Sequence, residues 1–406
     1  MTGLTKKVCT KLLANAARRN CHSTCQMAIV ILLSAALGGC NTSQSNNDQY
    51  DSTIEQENQA NLIDVGNVDL VVDTSPLAPA LNVTIASFTA WPENAASTSQ
   101  FKRHLRDAEA GYLPILLKNV LTSSQQWGAI RVIPETDNSA EVQINATIIE
   151  LSPIDISLHV VITDSRGKTW IDKTYRDTAR DHQYMPNTLG DEDPYLDLFE
   201  AIANDMLKAR AALTRQALGS ILDISTLKYA IALSPESFAE FLTYDENGHA
   251  DLTGLPAKSD TMYKRVNKIR DSEYKFVDAM DEQFDALFDK MQKSYPYWRE
   301  YSYELIVYNE RLGKEEKKNR PSYRGLGVVE DVYSDYREYK LNEDALRELS
   351  QSLDTEIRPT VAEYEGQVIE LSGTFSNQYK QWRRILQDIY RAERAVDPSI
   401  DGATSN

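Results

Sequence analysis

Cysteine is scarce, with four in 406 residues, at positions 9, 21, 25 and 40. Histidine numbers five, and none stands in an HExxH, CxxC or comparable spacing, so the sequence offers no ready ligand set for zinc. The GxSxG elbow, the GxxxxGK[ST] loop and a GxGxxG following a strand are also missing. Gly325-Leu326-Gly327 is too short and lacks the strand–helix setting. Basic charge is in deficit: 43 Lys and Arg face 60 Asp and Glu, for a net charge of −17. The first 39 residues hold five of the basic groups and no acid, so the remainder stands at −22. Such a surface repels phosphate backbones and anionic lipid, which excludes nucleic acid as an expected partner. Long apolar runs are absent too. Met27–Leu37 (MAIVILLSAAL) is the main one, and it is too short to span a bilayer.

That short run has a specific setting. Lys6, Lys7, Lys11, Arg18 and Arg19 precede it as a basic n-region, and Leu37-Gly38-Gly39-Cys40 ends it. The tetrapeptide resembles the lipobox of bacterial lipoproteins. The resemblance implies a signal peptide over 1–39, cleavage after Gly39 and acylation of Cys40. Arg18-Arg19 does not read as a twin-arginine signal, because Asn20-Cys21 stands where an apolar pair belongs. Asn41 rather than Asp follows the cysteine, which favours an outer-membrane, periplasm-facing position. Cys40 is then the one cysteine left, so residues 40–406 have no disulfide and depend on core packing. Their number suffices for one or two sizeable cores.

Residues 40–65 are rich in Asn, Gln, Ser and acids and read as a flexible tether. Residues 66–215 form the first expected domain. Strand-like alternation marks Val68–Val72 and Asn82–Phe88. From Gln100 to Ser123 the period changes to helical, with Ala108, Tyr112, Ile115, Leu116 and Val120 on one face and Pro114 as a kink or first turn. Strands follow at Ala129–Ile133, Glu141–Leu151, Ile156–Thr163 and Lys168–Tyr175, the last two forming a hairpin around Asp164-Ser165-Arg166-Gly167. A helix over Tyr195–Leu213 closes the unit. The fold class expected is therefore α+β, an α/β sandwich in the order β-α-β-β-β-α. The runs Ala108–Leu117, Gln126–Pro134 and Asp164–Trp170 resemble uncharacterised proteobacterial lipoproteins. Their architecture is similar to that of the penicillin-binding-protein activators, the periplasmic part of the curli-secretion lipoprotein and the auxiliary lipoproteins of ABC transport. The resemblance covers roughly 150 residues and carries no catalytic residues with it.

Residues 216–396 read as an all-α domain, and 397–406 as a disordered tail. A helical segment over Tyr263–Tyr308 breaks at Tyr295-Pro296-Tyr297-Trp298 into two helices. From Asn342, apolar residues step by three and four through Leu346, Leu353, Val361, Tyr364, Val368, Leu371, Trp382 and Ile389. That pattern predicts a long amphipathic C-terminal helix in need of a partner, within the chain or in another subunit.

Tyr295, Tyr297, Trp298 and Tyr301 are the candidate binding residues. With Arg299 and Glu300 beside them they could stack on sugar rings or anchor an interface. Trp298, Tyr301, Leu305 and Tyr308 equally fit one buried helix face. His159 sits inside a strand pattern. His182 lies in an acidic loop with Asp181, Asp191, Glu192 and Asp193, which lacks the order of a calcium loop. No metal, cofactor or catalytic residue is therefore expected. The reading that follows is a non-catalytic envelope scaffold or accessory subunit, bound to the bilayer through Cys40 and to an envelope protein or a second copy. Two alternatives belong to other classes: a peptidoglycan- or glycan-binding module built on Tyr295–Tyr308, and a hydrolase using scattered carboxylates.

Overall fold

The computed structural model describes residues 61–72, 78–90, 100–180, 193–292, 295–316 and 359–396, with Lys340, Asp344 and Arg347 between them. All belong to the compact unit formed by residues 58–406. The other unit, Met1–Glu57, lies outside the described residues. So do Gly39, Cys40, the tether up to residue 60, and His182 with most of its acidic loop.

The fold is mixed α and β, with a sheet built from the amino-terminal half and a helical carboxy-terminal region. The sheet has the strand order β1-β7-β6-β5-β2-β4. Its strands are β1 (Leu62–Asp64), β2 (Val83–Ala86), β3 (Thr89–Ala90), β4 (Ile130–Ile133), β5 (Val142–Leu151), β6 (Asp155–Asp164) and β7 (Thr169–Thr178), with β3 a short side pair of β5. Alternation decides the faces. Ile144, Ala146 and Ile148 on β5 stand opposite Ile162, Val160 and Leu158 on β6, all buried. Asn145 and Thr147 stand opposite Val161 and His159 on the other, more polar face. The β6–β7 hairpin turns on Asp164, whose carboxylate accepts from the Arg166 N–H at 2.9 Å and the Trp170 indole at 2.9 Å, while Gly167 takes a φ of +83°.

Helix α1 (Gln100–Ser123) connects β2 to the parallel strand β4 and covers the apolar face together with α2 (Leu196–Ala211). Pro114 lies well inside α1, so it is an interior proline rather than a first-turn residue. The main remaining elements are α3 (Arg215–Leu233), the small hairpin β8 (Leu242–Tyr244) and β9 (Ala250–Leu252), α4 (Thr261–Gln292), α5 (Tyr295–Glu316), β10 (Thr360–Tyr364), β11 (Gln367–Leu371) and α6 (Phe375–Val396).

Three local expectations differ from the structure. Val68–Val72 is not a strand. It runs as irregular chain over α2, where the Asn204 side chain accepts from the Val71 N–H at 2.9 Å and donates to the Asp69 carbonyl at 3.0 Å. The first strand is Leu62–Asp64, inside the stretch read as tether, and it pairs in parallel with β7 at Thr174–Arg176. Second, the core does not stop at residue 215. One contiguous set of buried side chains includes Val83, Ile144, Ile221, Val266, Phe276, Trp382 and Tyr390. Hydrogen bonds cross the same line: Ser165 donates to the Ile221 carbonyl and Ser225 to the Ser139 carbonyl, both at 2.6 Å.

Third, the helical period after Asn342 is interrupted by the β10–β11 hairpin. Glu365 and Gly366 form its two-residue loop with φ of +49° and +80°, the pair of positive values that a type I′ turn requires. Thr360, Ala362 and Tyr364 alternate inward, against α4 and α6. The long C-terminal helix is α6, and its partner lies within the chain. Trp382 packs on Phe276 of α4 at 5.5 Å between ring centres, and Phe375 stacks on Phe284 at 4.2 Å.

Candidate functional site

The sheet itself points to a site. The chain leaves β2 toward β4 on one side and then crosses back to β5 on the other, so the direction of winding reverses at β2. Open sheets bind ligands outside the carboxyl ends of parallel strands at such a reversal. Here that position is a cleft of about 360 Å³, lined by Ser87 and Thr89 after β2, Glu135 and Thr136 after β4, Asn145 and Thr147 on β5, and His159 on β6. Glu135 and Thr136 also line a second cleft of about 420 Å³ with Tyr379, Lys380, Arg383, Arg384 and Gln387 of α6. The two clefts adjoin at these shared residues and together form the groove, with a floor of hydroxyls and amides and a basic wall.

The charges along the groove are ordered. Glu135 meets Lys380 at 2.5 Å and accepts from the Ser376 hydroxyl at 2.5 Å. Partial burial alone would raise the Glu135 carboxyl, but Lys380 and Ser376 outweigh it and hold it below the usual carboxylate range. Arg383 turns inward to Glu273 at 3.4 Å and Asp137 at 3.8 Å. Glu273 is sealed in the core, where burial raises its carboxyl, and Tyr379 donates to it at 3.0 Å. Arg384 stays exposed on the groove wall. The geometry supports recognition by hydrogen bonds and by one or two cations. Ser87, just past β2, and His159, on β6, are separated by β5 and so stand roughly 10 Å apart by strand spacing. The histidine is engaged with Thr174 at 3.3 Å and Asp172 at 3.5 Å, so these residues do not form a nucleophile–base pair.

The four aromatic candidates are dispersed by the start of α5. Tyr295 is 1% exposed and donates its hydroxyl to Glu109 at 2.7 Å, so its ring is closed to any ligand. Trp298 is half-buried and stacks on Tyr295 at 6.1 Å between ring centres. Tyr301 is also half-buried, and Tyr297 alone of the four is exposed, at 54%. No shared aromatic platform results. Helical spacing places Trp298 on the inner side and Tyr297 on the outer.

Several carboxyls are shifted upward by burial. Glu109 rises to about 7, and Asp281 and Asp177 each to about 6. Glu109 and Asp281 are inside the packing rather than in an open cleft. Asp177 lines a separate cleft of about 570 Å³ beside Asp64, Arg176 and Arg180, at the end of β1. Among the described residues no group of three or more His, Cys, Asp or Glu is arranged to hold a metal ion, and no helix is long and apolar enough to cross a membrane.

The groove residues had no motif to announce them. The available signal was positional: Ser87, Glu135 and Thr136 are polar residues directly after short apolar strands, and Asn145 and Thr147 are the off-phase positions of β5.

No protein-family model and no curated protein matches the chain. Among solved structures it is similar to the crystal structure of a Xanthomonas campestris protein of family DUF330. The identity is 7%, 38% of this chain and 97% of that one are covered, and the TM-score is 0.21.

Proposed function

We propose that the protein is a lipid-anchored module of the bacterial envelope, an accessory or scaffold subunit that holds a partner protein in the groove at the carboxyl ends of β2 and β4. Anchoring rests on the lipobox-like Leu37-Gly38-Gly39-Cys40, with acyl chains on Cys40 and an outer-membrane, periplasm-facing position. The observation that carries the binding role is the groove, where adaptable donors and acceptors sit on rigid strands beside Lys380 and Arg384. β1 is one edge of the sheet, and β4, whose carboxyl end opens into the groove, is the other, about 24 Å away across five strand spacings.

Two measurements test the proposal separately. Labelled palmitate should be incorporated by the parent chain and not by a Cys40→Ala variant, which should also leave the membrane fraction. Equal membrane association of both removes the anchor. A photo-crosslinking residue at Asn145 or Thr147 should yield one stoichiometric adduct in membranes, lost on Lys380→Glu/Arg384→Glu, while the same probe at the exposed Glu240, which lines neither cleft, yields none. An adduct insensitive to that double substitution, or none from either position, removes the groove.

A further inference from the structure

Helix α6 is a basic exception in an acidic chain. It carries Lys380, Arg383, Arg384, Arg391 and Arg394 against Asp388 and Glu393, while the whole sequence stands at −17. Only part of that charge is on offer to the groove. Arg391 and Arg394 line neither cleft, and Arg383 is drawn inward by Glu273 and Asp137, at 3.4 and 3.8 Å. Lys380 and Arg384 remain, both exposed on the wall. Lys380 meets Glu135 at 2.5 Å, whereas Arg384 meets no carboxylate among the described residues.

Glu135 displays the chemistry that the wall receives. Its carboxylate accepts from the Ser376 hydroxyl at 2.5 Å and lies on the Lys380 ammonium, where the two clefts adjoin. That is a carboxylate site, filled from within the chain. The filling is loose, because the Glu135 and Lys380 side chains are 40% and 59% exposed, and so wet an ion pair holds its members weakly. An incoming carboxylate replaces Glu135 by turning it into solvent that it already touches. Arg384, one turn along, provides a second position. Four residues of helix advance about 6 Å along the axis. On one side of an extended strand, neighbouring side chains stand about 6.8 Å apart, two residues on. The two spacings match. At the far end of the floor, Asp172 stands beside His159 at 3.5 Å, so an acid is favoured along α6 and not there.

With the groove as the partner's seat, on which this rests, we infer that the segment seated there is extended and acidic. Two carboxylates at alternate positions of the partner lie on Lys380 and Arg384, and Glu135 is the placeholder that the first of them displaces.

Fluorescence anisotropy of capped peptides carrying an uncharged dye tests this on the full chain in a neutral detergent at low salt. Ser-Glu-Ser-Glu-Ser should bind saturably. Its isomer Ser-Glu-Glu-Ser-Ser has the same charge but aims its acids to opposite sides, and should bind about fivefold more weakly. Arg384→Gln and Lys380→Gln should each weaken the first peptide about fivefold. Glu135→Gln should tighten it by a similar factor, and the gain should vanish in Glu135→Gln/Lys380→Gln. Glu240→Gln removes an equal charge from outside both clefts and should change nothing. Equal binding of the two isomers, or a gain from Glu135→Gln that survives the loss of Lys380, reduces the effect to net charge and overturns the inference. Absence of saturable binding overturns it too. Two further outcomes separate the acidic segment from the groove itself. A membrane adduct at Asn145 that excess Ser-Glu-Ser-Glu-Ser fails to displace keeps the groove and overturns the acidic segment. Peptide binding with the stated variant pattern, but no adduct, supports the acidic site and removes the partner in the membrane.

Discussion

Asp281 is the place where the cost of burying charge can be weighed most cleanly. Its carboxylate, on α4, accepts the Val132 N–H at 3.1 Å and so closes the outer edge of β4, which would otherwise present an unpaired backbone donor. Lys118 lies 3.4 Å away and is shared with Asp285 at 3.3 Å. Burial raises Asp281 from 3.8 to about 6 despite the lysine. A carboxyl raised in the folded state contributes its stability below the unfolded value of 3.8 and loses it as pH rises through about 6. Asp281→Asn keeps an oxygen for Val132, removes the charge, and leaves Lys118 with Asp285. The variant should therefore be more stable than the parent by about 3 kcal/mol at pH 7, about 1.5 at pH 5, and well under 1 at pH 4. Asp281→Ala is the control: it removes the same charge but leaves the Val132 N–H without an acceptor in a buried setting, so it should be less stable than Asp281→Asn by roughly 1–3 kcal/mol at every pH. Urea denaturation followed by far-ultraviolet circular dichroism from pH 4 to 8 measures all three proteins. A gain that is the same at pH 4 and pH 7, or a loss at pH 7, would refute the reasoning that burial dominates this carboxyl.

Arg299→Ala should lower stability by roughly 3–5 kcal/mol in the same denaturation assay, because Asp193 is then left with its charge and without its bidentate partner. Gly366→Val should lower the melting temperature through a cost of roughly 1–2 kcal/mol, since a φ of +80° suits glycine and not a branched side chain. Nothing lies within 4 Å of a Cβ added at Gly366, so a much larger loss would point to packing rather than backbone strain.

Where one face of an element is buried, the sequence disclosed it. The alternation over Glu141–Leu151 and Ile156–Thr163 gave β5, β6 and their hairpin to β7 because those strands have one apolar face under helices and one wetter face. The same logic failed at Thr360–Leu371. Val361, Tyr364, Val368 and Leu371 step by three and four like a helix, yet Thr360, Ala362 and Tyr364 are the buried set, and Val361 and Val368 are 59% and 69% exposed. The contrary signal was Glu365-Gly366, a dipeptide able to fill two positive-φ positions at little cost. β1 was hidden because three residues are too few to show a period. The groove was invisible for another reason: it joins the ends of β2 and β4 to α6, some 240 residues later, as the Ser376–Glu135 bond shows. Periodicity reports which side of an element is buried and is silent about what buries it.

The fasteners between elements share one property that gives the whole protein a pH signature. Glu109 joins α1 to α5, Glu273 joins α4 to α6, and Asp281 joins α4 to β4; in each, burial raises the carboxyl. Glu141, beside Asn82 at the start of β2, is raised by burial as well. Each such group stabilises the fold below its unfolded pKa and surrenders that contribution as pH rises through its folded value, which for Glu109 and Asp281 means between about 6 and 7. The opposing carboxyls, Asp205, Glu135 and Asp245, are lowered and lose their contribution only in acid, below the ordinary carboxylate range. A net charge of −17 works in the same direction as the raised set, because self-repulsion eases as acids take up protons. The parent should accordingly be more stable at pH 5.5 than at pH 8. Urea midpoints with an unchanged slope would follow that decline. A maximum at pH 8 would mean that cations near these carboxyls outweigh their burial, and would overturn this reading of the raised set.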